Sequence, residues 1–270
     1  MSDVHATTFR ALHEPGQFLT LPNAWDAGSA RIIESCGALA IATSSAAVAW
    51  ARGYPDGEAL SAQELVAAVE SIARVISVPL TVDSEGGYSS DPAQVAENIF
   101  AIANAGGVGI NLEDATDPPD LLCAKIEAAK RGASKAGIDL FVNARTDVLL
   151  EQLVPAAEAL DAIVARAARY RDAGADGIFV PLISSADDIR AVAAAIAPLP
   201  LNVMAIPGLA ASAELKGLGV RRLSAGAGIA RAAISLTKRL SEGFLRDGRS
   251  DAIYAEVKDD TNVNALFQRA

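Results

Sequence analysis

The sequence has few residues of the kinds on which several protein classes depend. Its 270 residues include two cysteines, Cys36 and Cys123, and two histidines, His5 and His13. Two cysteines are too few for a disulfide-rich scaffold. Both histidines lie in a predicted leading helix, and Cys123 lies on the apolar face of another predicted helix. These positions disfavour a zinc site, a histidine base and a cysteine nucleophile.

Basic residues are also scarce, with 23 Lys and Arg against 33 Asp and Glu and a formal net charge of −10. A nucleic-acid binder needs a basic surface, so we expect no nucleic-acid partner. The first five residues lack the basic-then-apolar order of a signal peptide. The uncharged stretch 191–213 contains Pro198, Pro200 and Pro207, which argue against a membrane helix. We therefore expect a cytoplasmic protein with no membrane partner.

Apolar residues are abundant at 51% of the chain, enough for a large core. The length suits a single α/β barrel, which needs roughly 250 residues. Neither a low-complexity linker nor a shift in composition divides the chain. We expect one domain over residues 1–270, with residues 246–270 as a C-terminal helical extension.

Short apolar strands alternate with helices along the sequence, after a leading helix over 3–13. This alternation is typical of a parallel sheet covered by helices. Eight such units in this length favour a closed TIM-type (β/α)8 barrel over an open sheet. The predicted strands are 18–24, 39–43, 79–82, 108–112, 140–144, 177–180, 201–204 and 220–224. The helices that follow them are 27–35, 61–75, one beginning at Asp91-Pro92, 121–136, 155–173, 186–197, 210–218 and 229–245.

The third strand ends in two carboxylates, Asp83 and Glu85, and a turn that contains Gly86 and Gly87. Acidic residues are depleted in strand interiors, so both are expected where the strand ends. Hard cations such as Mg²⁺ take oxygen ligands, often one or two carboxylates together with water. We expect Asp83 to anchor such an ion. A solvated acidic turn is the alternative.

Polar residues follow the other strands at the same end, where barrel enzymes place their catalytic groups. Arg145 suits the bidentate capture of a carboxylate or phosphate-like group, or else pairs with Asp147 or Glu113. Glu113 is interpreted as a holder of metal-bound water, a general base, or one member of an ion pair. The full set comprises Asn23, Ser44, Ser45, Asp83, Glu85, Glu113, Asp114, Arg145, Asp147 and Asn202.

Two further interpretations concern single strands. Ser44 and Ser45 present hydroxyls and backbone N–H groups that suit an anion, with hydrogen bonding at the strand end as the alternative. Asn202 is an unusual residue for a core strand, because a buried amide needs partners. We expect Asn202 to bind substrate.

Several segments in a fixed order resemble the isocitrate lyase/phosphoenolpyruvate mutase superfamily over nearly the whole chain. The resemblance implies a Mg²⁺-dependent barrel, with Mn²⁺ as the alternative ion, that acts on small 2-oxo or enol carboxylates. It also implies a homodimer or homotetramer with C-terminal helices swapped between subunits. The segments are 21–26, Thr43-Ser44-Ser45, Arg52-Gly53-Tyr54-Pro55-Asp56, 83–88, Asn111-Leu112-Glu113-Asp114 and 143–147.

The resemblance also implies roles for individual residues. Asp83 matches the direct metal ligand, and Arg145 matches the arginine that holds the group at the bond being broken. The acids that hold metal-bound water correspond to Asp56, Glu85 and Glu113. The loop that binds the substrate carboxylate corresponds to Ser44, Ser45 and Ala46.

Two departures bear on the reaction. Family lyases carry a Lys-Lys/Arg-Cys-Gly-His loop after the glutamate, whereas here only residues 114–120 separate Glu113 from Leu121. Phosphonate-transferring relatives carry a long gating loop at the same place and a histidine where this chain has Pro181.

We therefore predict a Mg²⁺-dependent lyase or decarboxylase that cleaves a C–C bond in a small 2-oxo (di)carboxylate. Decarboxylation of an oxaloacetate-type acid fits best, because it needs no cysteine acid. One alternative is a P–C bond enzyme of the phosphoenolpyruvate mutase or phosphonopyruvate hydrolase type. The other is a 2-oxo acid binder without activity.

Overall fold

The structure, a computed structural model, describes residues 2–258 and 261–268. In these residues nine parallel strands form one sheet, in the order β1-β9-β8-β7-β6-β5-β4-β3-β2. The strands are β1 Leu19–Leu21, β2 Asn23–Ala24, β3 Ile41–Thr43, β4 Leu80–Asp83, β5 Gly107–Glu113, β6 Phe141–Arg145, β7 Gly177–Phe179, β8 Leu201–Met204 and β9 Val220–Ser224.

The sheet curls into a nearly closed barrel. Its two edge strands, β1 and β2, are consecutive pieces of one strand, so the two edges meet. Only Pro22 separates them, and a proline has no N–H to donate to a neighbouring strand. β1 pairs with β9 on one side, and β2 pairs with β3 on the other. Counting these pieces together gives eight barrel strands, and the predicted (β/α)8 fold is confirmed.

Helices follow the strands and cover the barrel. The predicted start at Asp91-Pro92 is confirmed, since the Asp91 side chain accepts from Ala93 N and Pro92 is the first helical residue. The helices are α1 Ser2–Ala11, α2 Ala27–Ser35, α3 Ser45–Ala51, α4 Ala62–Ala73, α5 Pro92–Asn104, α6 Pro119–Lys135, α7 Ala159–Asp172, α8 Ala186–Ala195, α9 Ser212–Gly217, α10 Gly228–Asp247, α11 Asp251–Tyr254 and α12 Val263–Phe267, with a 3₁₀ turn at Ala156–Glu158. None of the helices in the described ranges is both long and apolar enough to cross a membrane.

One helix was absent from the sequence prediction. The segment after β3, expected as a strand end and loop, forms α3, with Ser44 as its N-cap. Residues 45–49 are all buried. Small side chains dominate this run, and they allow the helix to pack closely at the mouth of the barrel.

Aromatic side chains close the opposite, N-terminal end of the barrel. Phe9 of α1 is fully buried and meets Phe141 edge-on, with ring centroids 5.4 Å apart. His13 stacks on Phe141 at 4.2 Å. Gly109 of β5 must be glycine here, because a Cβ would lie 2.7 Å from the Phe9 ring. These contacts fill the N-terminal end of the barrel, opposite the carboxyl ends of the strands.

Short helices follow the barrel at the C-terminal end of the chain. α11 and α12 form within the predicted 246–270 segment, of which residues 259, 260, 269 and 270 lie outside the described chain. The 20-residue helix α10 buries one side chain, Ala230, and leaves Ile234 and Phe244 about half exposed. Exchange of helices between subunits stays a prediction.

Candidate active site

The predicted acids and Arg145 lie at the carboxyl ends of neighbouring strands. Asp83 ends β4 and pairs in register with Asn111 of β5, whereas Glu113 ends β5 and pairs with Arg145 of β6. Parallel strands end at one face of the barrel, so these side chains share the open mouth. The predicted grouping of Asp83, Glu113 and Arg145 is thus present in the structure.

Neutral hydrogen-bond donors hold the carboxylate of Asp83. Its Oδ2 accepts from the backbone N–H of Ser45 at 3.0 Å, and its Oδ1 accepts from Asn111 Nδ2 at 3.3 Å. Asp83 is 9% exposed, and its own N–H donates to Thr43 Oγ1 at 2.8 Å. No Lys, Arg or His side chain in the described ranges forms an ion pair with it. Asp83 is therefore a positioned, buried carboxylate that makes no direct ion pair with a described cationic side chain.

Glu85 is held on both carboxylate oxygens by an arrangement that joins two loops. Its Oε2 accepts from Glu58 N at 2.6 Å, and its Oε1 accepts from Tyr88 OH at 2.8 Å. Glu58 completes the connection by accepting from Tyr88 N at 2.9 Å. We call these three residues the clasp.

Each clasp residue has a positive φ: 58° for Glu58, 49° for Glu85 and 60° for Tyr88. For residues other than glycine this costs roughly 1–3 kcal/mol each and is concentrated at functional sites. Burial raises the pKa of Glu85, and the nearby carboxylates of Asp83 and Asp56 raise it further. Asp56 is itself exposed, on the same 52–60 loop as Glu58.

Arg145 is engaged with two acids, which was the alternative that its position left open. Its Nη1 lies 2.7 Å from Glu113 Oε2. Its Nε and Nη2 donate to the two oxygens of Asp147 at 2.6 and 3.0 Å. Burial raises the pKa of Glu113 well above its usual range; Arg145 opposes this rise and Asp83 adds to it. The guanidinium therefore has a fixed plane and a fixed position at the mouth.

Asp114 holds Asp147 in place, and Asp147 in turn holds Arg145. Asp114 is fully buried and accepts from Asp147 N at 2.8 Å, from Arg166 Nη1 at 2.6 Å and from Tyr170 OH at 2.5 Å. The sequence placed Asp114 at the mouth but gave no indication of its partners. Arg166 and Tyr170 lie four residues apart on α7, a spacing that puts both on one helix face.

The predicted substrate-binding residues of the first loop begin α3. Ser44, Ser45 and Ala46 are 5%, 9% and 9% exposed. The Ser44 hydroxyl accepts from Ala47 N at 3.5 Å, and Ser45 N donates to Asp83. The structure therefore brings this loop against the predicted metal ligand, while its contact with a substrate stays a prediction.

Asn202 lies inside the barrel rather than at its mouth. Asn143 Nδ2 donates to Asn202 Oδ1 at 3.0 Å and to Asn111 Oδ1 at 2.9 Å. Asn202 Nδ2 in turn contacts Ser224 Oγ at 3.2 Å. With 1% exposure and both ends of its amide bonded, Asn202 belongs to an interior polar network. These contacts give Asn202 a structural role inside the barrel, and its contact with a substrate stays a prediction.

The donor set at the mouth fits a hard divalent cation. Asp83, Glu85 and Glu113 offer only oxygen atoms, and mutual repulsion helps to raise the pKa of the two glutamates. Within residues 2–258 and 261–268, no three His, Cys, Asp or Glu side chains lie close enough to ligate one ion together. The arrangement therefore suits an ion that binds one carboxylate directly and keeps several waters, as Mg²⁺ does.

Comparison with family models and curated proteins places these residues in a known context. The model described as phosphoenolpyruvate phosphomutase matches residues 9–245. An uncharacterized protein of Mycobacterium tuberculosis is 37% identical over 224 residues, 81% of each chain. An oxaloacetate decarboxylase of Pseudomonas aeruginosa is 30% identical over 244 residues, 85% of this chain and 81% of its own.

Solved structures agree with these matches. A Burkholderia cenocepacia protein provisionally described as a phosphonomutase is 42% identical, with a TM-score of 0.84 over 89% of this chain and all of its own. The 2,3-dimethylmalate lyase, described as a member of the PEP mutase/isocitrate lyase superfamily, is 28% identical. Its TM-score is 0.84 over 97% of this chain and 93% of its own. Decarboxylase and lyase relatives of this kind cleave C–C bonds.

Proposed function

Because the chain belongs to the phosphoenolpyruvate mutase/isocitrate lyase superfamily, whose members are divalent-metal-dependent, we propose that it is a Mg²⁺-dependent carbon–carbon lyase. The proposed substrate is a small 2-oxo dicarboxylate, and the proposed reaction is decarboxylation of the oxaloacetate type. Mn²⁺ is the alternative ion. The relatives that carry C–C lyase names support this reaction class.

The observation that carries the proposal is the state of Asp83. Three other acids at the mouth have cationic partners: Glu113 and Asp147 pair with Arg145, and Asp114 pairs with Arg166. Glu85 has no cationic partner among the described side chains, but its two oxygens accept from Glu58 N–H and Tyr88 OH. Asp83 is fixed by Ser45 N–H and Asn111 and has no such partner among the described side chains. A divalent cation held there supplies Lewis-acid stabilisation of the negative charge that develops on the 2-oxo oxygen.

The protein's own groups would place the substrate around that carboxylate. We assign Arg145 to the carboxylate at the bond that breaks, since Asp147 fixes the guanidinium on its Nε and Nη2 side. The first turn of α3, with Ser44, Ser45 and Ala46, is assigned to the second carboxylate, because helix N-termini favour anions.

The short β5–α6 connection favours decarboxylation over an aldol-type cleavage. Only residues 114–118 connect β5 to α6, which begins at Pro119, and this segment contains no cysteine, histidine or lysine. An aldol-type cleavage leaves a carbanion on one product, and a positioned proton donor is needed to protonate that carbon. Loss of CO₂ requires no such donor in the cleavage step, and water can protonate the product afterwards.

We also propose that the protein assembles as a homodimer or homotetramer through α10. Helix α10 exposes Ile229, Ile234, Phe244 and Leu245, more apolar surface than a solitary surface helix ordinarily leaves in water. A cavity of about 300 Å³, lined by Trp25, Trp50 and Ile234 among others, lies between α3 and α10. Light scattering should give a mass of two or four times 27.7 kDa, and a mass of 27.7 kDa would reject this assembly.

The test of the activity is turnover of oxaloacetate and related 2-oxo acids with Mg²⁺. Asp83→Ala should lower kcat/KM by at least about a hundredfold, the usual loss when a transition-state charge stabiliser is removed. Asp161→Ala, an exposed acid on α7, serves as the matched control and should keep full activity. Equal turnover by wild type and Asp83→Ala would reject the proposal.

Two results would replace the proposal by another. A change in the ³¹P NMR spectrum of phosphonopyruvate or phosphoenolpyruvate would identify a P–C bond enzyme. Calorimetric binding of 2-oxo acids without product would identify a binding protein.

A further inference from the structure

A fully buried arginine lies inside the barrel, where few hydrogen-bond partners offset the burial of its charge. Arg222 of β9 is 1% exposed. Its Nη2 donates to Asn111 Oδ1 at 3.2 Å, while its Nε and Nη1 are buried without a hydrogen-bond partner. Its guanidinium lies 5.9 Å from the centroid of the Phe9 ring. Burial of a charge in this way is costly unless another charge offsets it.

The carboxylate that interacts with Arg222 is Asp83, on the far side of one amide group. Asn111 accepts from Arg222 through Oδ1 and donates to Asp83 Oδ1 through Nδ2 at 3.3 Å. Burial lowers the pKa of Arg222 to about 9, and the negative charge of Asp83 opposes that fall. The guanidinium is thus charged at neutral pH.

We propose that Arg222 is the internal counter-charge of Asp83 and sets how tightly that carboxylate binds a divalent cation. The inference rests on the proposed function in one respect, the binding of a metal ion at Asp83. A fixed positive charge behind the ligand repels the incoming cation, so Arg222 lowers metal affinity. It also stabilises the ionised carboxylate when no cation is bound. Arg222 is a positioning residue in this sense, since it acts on the metal through Asp83.

Arg222 is not needed to orient the side-chain amide of Asn111. Asn143 Nδ2 donates to the same Asn111 Oδ1 at 2.9 Å, shorter than the contact from Arg222. This bond alone keeps the Asn111 amide turned with its Nδ2 toward Asp83. The charge of Arg222 is therefore the property that Asn143 cannot replace.

The test is Mn²⁺ binding, followed by the loss of the free-ion EPR signal at constant ionic strength. Arg222→Met removes the charge, and Arg222→Gln removes the charge but keeps a donor for Asn111. Both neutral variants should bind Mn²⁺ more tightly, on the order of tenfold, as expected for charges separated by one amide at a protein-like dielectric. Arg222→Lys keeps the charge and should bind close to the wild-type value.

The direction of the change separates this role from a structural one. Damage to the barrel would weaken Mn²⁺ binding, whereas removal of a counter-charge strengthens it. Urea unfolding of each variant establishes that it is folded before its Mn²⁺ affinity is compared with that of the wild type.

The outcomes also separate this inference from the proposed function. If Asp83→Ala abolishes Mn²⁺ binding and the neutral Arg222 variants bind equally or more weakly than wild type, only the inference is overturned. If Asp83→Ala binds Mn²⁺ as the wild type does, the metal site itself is rejected, and the role of Arg222 with it.

Discussion

The hydroxyl of Tyr170 donates to the fully buried carboxylate of Asp114 across 2.5 Å, which ties the end of β5 to α7. Asp114 also accepts from the backbone N–H of Asp147, the residue that grips Arg145 on two nitrogens. A chain of contacts therefore runs from the helix layer to the guanidinium at the barrel mouth. The position of Arg145 therefore depends on two fully buried side chains, Asp114 and Tyr170.

Tyr170→Phe tests this dependence. Removing the hydroxyl leaves a buried carboxylate oxygen with one partner fewer, so we expect the free energy of unfolding to fall by about 1–3 kcal/mol in urea titration. Arg166→Met should cost more, because it removes the cationic partner of a buried charge. Equal stability of Tyr170→Phe and wild type would show that this hydrogen bond contributes nothing.

Gly132→Ala tests the close approach of α5 and α6. A Cβ at residue 132 would lie 2.2 Å from the Ala96 carbonyl oxygen, which is backbone and cannot turn aside. We expect a loss of about 3 kcal/mol, at the upper end of what overpacking costs.

The matched control for Gly132 is Gly243→Ala on α10. There the nearest atom to an added Cβ is Arg246 Nη2 at 3.9 Å. Replacing a helical glycine by alanine should then raise stability by about 0.5–1 kcal/mol. Thermal melts of both variants compare the two directly, and a similar effect at the two positions would contradict the packing argument.

Stability should also depend on the protonation of His13. Burial lowers the pKa of His13 from 6.5 to about 3, with the charge of Arg222 as a further cause. Between these two pH values the unfolded chain binds a proton that the folded chain does not, so stability falls as pH drops below 6.5. Moving from pH 8 to pH 5 should cost about 2 kcal/mol through this residue alone.

His13→Phe isolates that contribution, because phenylalanine keeps the stacking on Phe141 without a titrating group. The variant should lose about 2 kcal/mol less than wild type between pH 8 and pH 5 in urea unfolding. Parallel pH profiles for the two proteins would remove His13 as a cause.

Prediction from sequence succeeded where the signal is local. The alternation of apolar strands and helices identified the barrel, and Asp91-Pro92 marked the start of a helix. It failed at α3, because small residues such as those at 45–49 pack as well in a helix as in a loop. The strand predicted over residues 18–24 is divided at Pro22, because proline has no N–H to donate to a neighbouring strand.

Contacts between distant strands were beyond the sequence for a different reason. That Asn111, Asn143 and Asn202 form one network follows from the register of β5, β6 and β8, which strand patterns do not specify. The partners of Arg145 were named as alternatives to substrate, and choosing among them needed distances. The pairing of Glu85 with Glu58 and Tyr88 likewise joins loops with no shared pattern.

The clasp predicts how the 52–60 loop responds to mutation. Glu58 Oε1 accepts from Tyr88 N, and Glu58 N donates to Glu85 Oε2, so the Glu58 side chain holds one of the two loops to the other. Glu58→Ala removes the acceptor, whereas Glu58→Gln keeps an oxygen in its place.

The two variants should differ in protease sensitivity. We expect trypsin to cleave after the exposed Arg52 several-fold faster in Glu58→Ala, because local opening exposes the backbone. Glu58→Gln should resist trypsin almost as well as wild type. Since the same loop carries Asp56, Glu58→Ala should also weaken Mn²⁺ binding. Unchanged cleavage after Arg52 in Glu58→Ala would mean that the loop is held by other contacts.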